Sequence, residues 1–216
     1  MPEPVRAPNL SGLEAFEHGF GLRDTDPPEG IRTVRHIHSA RVGDAIDASF
    51  TEGDALVSRG GDLLVGIRTA DCVPVLLADP ETKAFAAIHA GWRGTAENIA
   101  ASAVLDLVRR YGVAPGNLRA AIGPSIGVCC YQVGADVAHR FGSWIPELAN
   151  VGAAVHLDLR AINELQLRLA GVQNVWVSGE CTFCAPNRFF SYRREQEQAG
   201  RMLSYIGMPI KQRANR

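Results

Sequence analysis

Long apolar runs are missing from this chain. No window approaches the roughly 18–20 consecutive apolar residues that a membrane-crossing helix needs. The opening Met1-Pro2-Glu3-Pro4-Val5-Arg6 also lacks the apolar stretch of a secretory leader. A basic surplus is missing too: 22 Lys and Arg stand against 23 Asp and Glu, for a net charge of −1. That balance argues against a general nucleic-acid binder, whose affinity rests on cationic contacts to phosphates. Internal repeats and low-complexity linkers are absent, so a single domain over residues 1–216 is expected, long enough to bury a real core. Cysteine is sparse and odd in number, at five, without the spacing of a disulfide scaffold. A cytoplasmic chain is expected, with thiols reduced, buried, metal-bound or catalytic.

What is present is ordinary for a soluble globular protein, 46% apolar and 21% charged. Three short apolar runs, Leu63 to Ile67, Val73 to Ala78 and Ala84 to His89, read as strands, at least two of them buried. After Gly94 the period changes. Ala96, Ile99, Ala100, Ala103, Val104, Leu107, Val108 and Tyr111 recur at helical steps, and Gly112 follows as a left-handed cap. Leu118 to Ile122 and Val175 to Val177 read as further strands, and Gly134 to Phe141 as a short helix. Asp158 caps a second clear helix through Leu169, with Gly171 after it. Arg201 to Ile206 fits strand or helix, and the first 30 residues fit short elements. The absence of a regular βαβ rhythm predicts an α+β fold: mixed β-sheets in a central sandwich with helices packed outside.

Three segments carry chemistry. In Thr69-Ala70-Asp71-Cys72-Val73-Pro74 a cysteine opens a strand beside a carboxylate; the plainer alternative is a buried core thiol. In Ile88-His89-Ala90-Gly91-Trp92-Arg93-Gly94 a histidine closes a strand and a Gly-flanked turn leads into the helix, whose unpaired amides, with Arg93 beside them, suit an anion. In His36-Ile37-His38-Ser39 the imidazoles share a face if the backbone is extended, so that both serve one metal or one supports the other. Zinc favours imidazole and thiolate, and a catalytic site keeps one position open. His38, Cys72 and His89 form such a set, although spacing does not force them to meet. Cys181-Thr182-Phe183-Cys184 is a single C-x-x-C without a second one, for which the adjacent Cys129-Cys130 is a poor substitute, so these four read as incidental thiols. Phe189, Phe190 and Tyr192 read as core aromatics more readily than as a base-stacking group.

The chain resembles the YfiH, or laccase-domain, family, also called polyphenol oxidoreductases. The matching stretches are His36 to Val42, Thr69 to Asp79, Ala87 to Thr95, Ala121 to Ile126 and Phe189 to Arg194, in the family's order, over roughly residues 15 to 210. The pairing of T-A-D-C-x-P with H-A-G-W-R-G, its Cys and His 17 residues apart, is highly specific. The family usually has Gln at the place of His36 and often Gly at that of Ser39. The resemblance implies zinc ligated by His38, Cys72 and His89, a fold like the catalytic domain of cytotoxic necrotizing factor, and purine nucleoside phosphorolysis of adenosine, inosine or methylthioadenosine, with adenosine deamination beside it.

On that implication the expected roles are Cys72, His89 and Asp71 in catalysis, with Asp71 relaying protons or orienting a ligand, and Arg93 and Arg193 on phosphate. The expected partners are a purine nucleoside and phosphate, with no nucleic acid and no membrane. Three alternatives stand beside this. A copper-type polyphenol oxidase needs more histidines than the six present (His18, His36, His38, His89, His139 and His156), although copper can displace zinc in vitro. A metal-free Cys-His hydrolase or amidase on cell-wall precursors needs Cys72 and His89 but not His38. A zinc-stabilised binding module fits a three-ligand site poorly.

Overall fold

The structure, a computed structural model, describes residues 2–209. The strands among them are β1 (Glu17–Phe20), β2 (Ile31–Arg32), β3 (Val42–Asp44), β4 (Ala55–Arg59), β5 (Leu63–Thr69), β6 (Val73–Ala78), β7 (Ala84–Ala90), β8 (Arg119–Ile122), β9 (Gln132–Val133), β10 (Val155–His156), β11 (Asn174–Val177) and β12 (Met202–Met208). The helices are α1 (Pro8–Ser11), α2 (Trp92–Ala96), α3 (Ile99–Tyr111), α4 (Ala135–Ala138), α5 (Leu159–Leu169) and α6 (Tyr192–Glu195). Two mixed sheets dominate, a four-stranded one ordered β1-β12-β5-β2 and a six-stranded one ordered β11-β8-β6-β7-β4-β3. The fold is α+β, with mixed sheets, helices outside and no closed barrel, as the sequence pattern predicts.

The apolar runs of β4, β6 and β7 follow from burial on both faces. Side chains alternate along a strand. Val57, Val73, Val75, Leu77, Ala86 and Ile88 point to one side and pack with Ile99, Ala103, Val104 and Leu107 of α3 and Ile162 of α5. Leu56, Leu76, Phe85 and Ala87 point to the other and meet Val65, Ile67 and Ile206 of the four-stranded sheet. Phe85 is wholly buried between the sheets, and truncating such a residue to Ala costs about 3–5 kcal/mol. Among the described residues no helix is long and apolar enough to cross a membrane.

The helix caps fall where the composition puts them. Gly112 adopts φ 68° at the end of α3, and the Asp158 carboxylate accepts from the amides of Arg160 and Ala161 at 3.0 and 3.1 Å. Three expectations change and one open reading is decided. The helix expected from Ala96 breaks after α2: Asn98 takes a left-handed φ of 65° and α3 starts at Ile99, a conformation Asn tolerates better than most residues. The stretch expected as one helix over 134–141 holds α4 and then a 3₁₀ turn, His139–Phe141. Arg201 to Ile206 resolves as strand β12, paired to β1 and β5. Residues 36–38 are not a strand, since His38 has φ 57°.

Candidate active site

The strand register brings the site together. In the antiparallel β6–β7 pair Val73 faces Ala90 and Pro74 faces His89, which sets Cys72, just before β6, across from Gly91. In the β4–β7 pair Ala55 faces Ile88, and the His89 amide donates to the Asp54 carbonyl at 2.7 Å. His38 arrives on the loop from Arg35 to Arg41. One ligand atom each from His38, Cys72 and His89 lies within 4.8 Å of the others. A Cβ built on Gly91 would stand 3.2 Å from Cys72 Sγ, 3.3 Å from His38 Cδ2 and 3.7 Å from His89 Cε1. Glycine therefore leaves open the cradle that any side chain would fill.

Asp54, which the sequence reading missed, organises this cradle. Its side chain is fully buried. Oδ1 accepts from the His38 amide at 3.0 Å and lies 2.8 Å from His89 Nδ1. Oδ2 accepts from the amides of Ile37 and Ser39 at 3.3 and 2.7 Å and from the Ser39 hydroxyl at 2.9 Å. One carboxylate thus fixes the His38 loop and the His89 ring together, and its hold on Nδ1 leaves Nε2 for the centre. A carboxylate–histidine pair of this kind is the usual support of a metal-bound imidazole. Helix α2 closes the loop from the other side, where a Cβ on Gly94 would fall 2.7 Å from the Ser39 carbonyl oxygen. Asp54 had a readable signal: it precedes an apolar strand just as Cys72 does.

The electrostatics couple these groups. Burial pushes the Asp54 carboxyl up, but hydrogen bonds from His89 and Ser39 outweigh it and hold the group well below the usual carboxylate range. Burial also opposes ionisation of Cys72, yet the charge on His89 and hydrogen bonds from His38 and His89 bring the thiol down to about 6. His89 is depressed by burial and raised more strongly by Cys72 and Asp54, reaching about 9. The pair is a thiolate beside an imidazolium, and a metal would displace the imidazolium proton. His36 lies face to face with His89, ring centroids 4.3 Å apart at 10°. Burial first and the charge of His89 second bring it down to about 4. Its Nε2 is buried without a hydrogen-bond partner.

The other expected residues surround the centre without joining it. Asp71, with a left-handed φ of 87°, accepts from the Thr182 hydroxyl at 2.6 Å, the Ser191 hydroxyl at 3.0 Å and the Arg193 amide at 2.7 Å. Oδ2 fastens the α6 segment, and Oδ1 the loop after β11, to the start of β6. Arg93 is exposed on α2, its guanidinium 4.3 Å from the Trp92 ring centroid. The long helix α3 does not begin there, and α2 is a single short turn of five residues. Arg193 is exposed; its Nη1 donates to the Gln132 carbonyl at 2.9 Å and its guanidinium lies 5.3 Å from the Tyr131 ring centroid. Tyr131, also missed by the sequence reading, is half-buried. Burial and the neighbouring Cys72 raise its phenol to about 12, although Arg193 and Arg93 pull the other way. Phe189 is core, fully buried. The other three histidines lie elsewhere: His18 Nε2 accepts from the Ala7 amide at 2.9 Å, His139 Nε2 is 2.8 Å from the Val151 carbonyl, and His156 is on β10.

The four thiols read as incidental from the sequence come together in space: the sulfurs of Cys129, Cys130, Cys181 and Cys184 all lie within 4.8 Å of one another.

Residues 21–209 match the family model described as multi-copper polyphenol oxidoreductase laccase. Among curated relatives, a purine nucleoside phosphorylase of Deinococcus radiodurans is 42% identical over 213 residues, covering 96% of this chain and 79% of that protein. A protein from an unknown prokaryotic organism, named adenosine deaminase RL5, is 36% identical over 211 residues, covering 89% and 78%. Among solved structures, YlmD of Geobacillus stearothermophilus superposes with a TM-score of 0.80 at 28% identity, covering 96% of both chains. The hypothetical protein YfiH of Bacillus licheniformis gives 0.82 at 27%, covering 96% and 97%.

Proposed function

The chain belongs to the multi-copper polyphenol oxidoreductase laccase family, and from its site we propose that it is a zinc-dependent purine nucleoside phosphorylase of the cytoplasm, acting on adenosine, inosine or methylthioadenosine. The observation that carries this is the convergence of His38, Cys72 and His89 under Gly91, with Asp54 orienting His89. The donor set suits zinc: two imidazoles and one thiolate, with a fourth position left open by the missing side chain at 91. When bound there, zinc supplies Lewis acidity at that open position.

The chain's own residues supply the rest. Phosphorolysis forms a bond from a phosphate oxygen to the ribose C1′ while the bond from C1′ to the purine nitrogen breaks. The electron pair goes to the purine, which takes up a proton. Arg193 holds the phosphate: Nη1 is engaged with Gln132, leaving Nε and Nη2 for anion oxygens. Arg93 adds a second cation, whose charge is felt at Tyr131 together with that of Arg193. Asp71 is a positioning residue, because its carboxylate fixes the Arg193 backbone. The half-buried Tyr131 ring offers a face against which a purine can stack.

Two relatives' names favour different readings of one site, and the 36% identical relative named adenosine deaminase supports deamination as an accompanying activity. A metal-free Cys-His hydrolase is the second reading, favoured by the Asp54–His89–Cys72 order, in which a carboxylate orients the imidazole beside a thiolate. A copper oxidase is disfavoured, since His18, His139 and His156 lie outside the site and only three histidines gather there.

The test is nucleoside turnover by purified protein with and without phosphate, with zinc measured on the same sample. Release of free base only when phosphate is present, abolished in Cys72→Ala and His38→Ala, supports the proposal. Full activity of His38→Ala points to the metal-free hydrolase. Bound zinc without consumption of any nucleoside refutes the substrate assignment.

A further inference from the structure

The four remaining cysteines meet by a consequence of topology. β8 and β11 are parallel neighbours, with Ile122 opposite Val177, so the loops that follow them leave the sheet at the same end. A parallel bridge between Ser125 and Cys181 continues that alignment beyond the strands, and the Thr182 amide donates to the Ser125 carbonyl at 3.0 Å. The first loop then turns at Gly127, whose carbonyl accepts from the amides of Cys130 and Tyr131, both at 3.0 Å. This turn presents Cys129 and Cys130 to Cys181 and Cys184 across the junction.

The spacing is that of ligands to a common ion. Sulfurs at the corners of a tetrahedron around zinc, each about 2.3 Å from it, stand about 3.8 Å apart. Cys129 Sγ and Cys184 Sγ are 3.8 Å apart, Cys130 Sγ and Cys184 Sγ are 3.3 Å apart, and the whole set falls within 4.8 Å. A disulfide brings its sulfurs to about 2.05 Å, and the five cysteines are all free. The Gly127 amide donates to Cys181 Sγ at 3.2 Å. Arg160 lies alongside, its Nη1 donating to the carbonyls of Ser178 and Glu180 at 2.7 and 3.2 Å. Gly127 admits no side chain: a Cβ there would fall 2.9 Å from Arg160 Nη2, 3.2 Å from Cys129 Sγ and 3.3 Å from Cys181 Cβ.

We propose that Cys129, Cys130, Cys181 and Cys184 form a second metal centre, a four-thiolate site that binds zinc and fastens the loop after β8 to the loop after β11. Four soft ligands in a closed tetrahedral set suit a structural zinc ion with no open position. Binding releases the thiol protons to solvent, and no oxidant takes part. The two loops carry Tyr131 and Thr182, and Thr182 donates to Asp71 beside Cys72. The ion therefore clamps one wall of the active site while lying outside it. This inference stands on the sulfur geometry and does not depend on the reaction performed next door.

The test is zinc stoichiometry on protein purified under reducing conditions. Wild type should hold about two zinc ions per chain, and His38→Ala and the Cys181→Ser/Cys184→Ser pair about one each, one for every intact site. Absence of zinc from His38→Ala protein overturns the proposal. A second measurement needs no variant: alkylation of the zinc-replete wild type, mapped by mass spectrometry. Cys129, Cys130, Cys181 and Cys184 should resist together and become reactive together after a strong chelator is added. Alkylation of these four at the rate of free thiols before chelation, or their recovery as disulfides, overturns it.

Discussion

Replacing Asp54 by Asn keeps the shape of the side chain and removes its charge. Five donors converge on that carboxylate, and an amide offers one acceptor oxygen where the carboxylate offers two. If the new NH2 takes the place of Oδ2, the amides of Ile37 and Ser39 lose their acceptor, each buried donor left unpaired costing about 1–3 kcal/mol. If it takes the place of Oδ1, the His38 amide is orphaned and His89 must accept through Nδ1, which moves its proton to Nε2, the nitrogen the centre needs. Either arrangement damages the cradle. Loss of such a supporting partner weakens metal binding about 10–100-fold, or roughly 1.4–2.8 kcal/mol. The assay is a zinc competition titration against a chromophoric chelator, paired with urea unfolding of the zinc-free protein. Asp54→Asn should bind zinc at least tenfold more weakly and unfold at lower urea. Zinc affinity within twofold of wild type, with an unchanged urea midpoint, would refute the reasoning.

Other consequences are equally open to measurement. Gly91→Ala has an allowed backbone, with φ −70°, but its methyl presses on Cys72 and His38; zinc affinity should fall in the same titration while the urea midpoint stays close to wild type. Arg193→Ala removes a charge-assisted contact worth about 1.5–3 kcal/mol, so the KM for phosphate should rise by about tenfold or more with the nucleoside KM little changed, as read by initial rates. His18 is buried and brought down from 6.5 to about 4, by burial first and by Arg6 second. Between those values the unfolded chain binds the proton and the folded one does not, so stability is full above pH 6.5 and is lost as the pH falls towards 4, on the order of 3 kcal/mol in all. His18→Gln should flatten that limb of the stability curve measured by urea unfolding. Zinc at 100 times its dissociation constant stabilises the fold by about 2.7 kcal/mol, so a chelator should lower the melting temperature of wild type by more than that of Cys72→Ala.

The parts of this molecule that a sequence reveals are those governed by local rules. β6 and β7 are buried at every position, and apolar at all but His89, because both their faces are covered. α3 and α5 declare themselves by period, and Gly112 and Asp158 mark ends that the backbone needs in those conformations. Cys72 and His89 were readable as one set because one opens and the other closes a strand of one hairpin. The rest depends on neighbours distant in sequence. His38 reaches the centre through a left-handed turn that no alternation pattern encodes, and Asp54 acquires its role only when β4 pairs with β7. Asn98 interrupts a stripe that is helical on both sides of it. The four-cysteine cluster was hidden because 50 residues lie between Cys130 and Cys181, and only the parallel pairing of β8 with β11 brings them together.

The arrangement of donors along the chain sets an order of assembly. The candidate ligands of the first centre and their nearest supports, His38, Asp54, Cys72, His89 and Gly91, lie between residues 38 and 91, at or beside the ends of the adjacent strands β6, β7 and β4. The second set is complete only at Cys184, and β12, which joins β1 to β5, is made later still. During synthesis from the N-terminus the histidine–thiolate trio is therefore fully translated before α3, β8 or either cysteine loop exists. An ion captured at that stage would tie the ends of β6 and β7 to the His38 loop while the helices that cover the sheet are still being made.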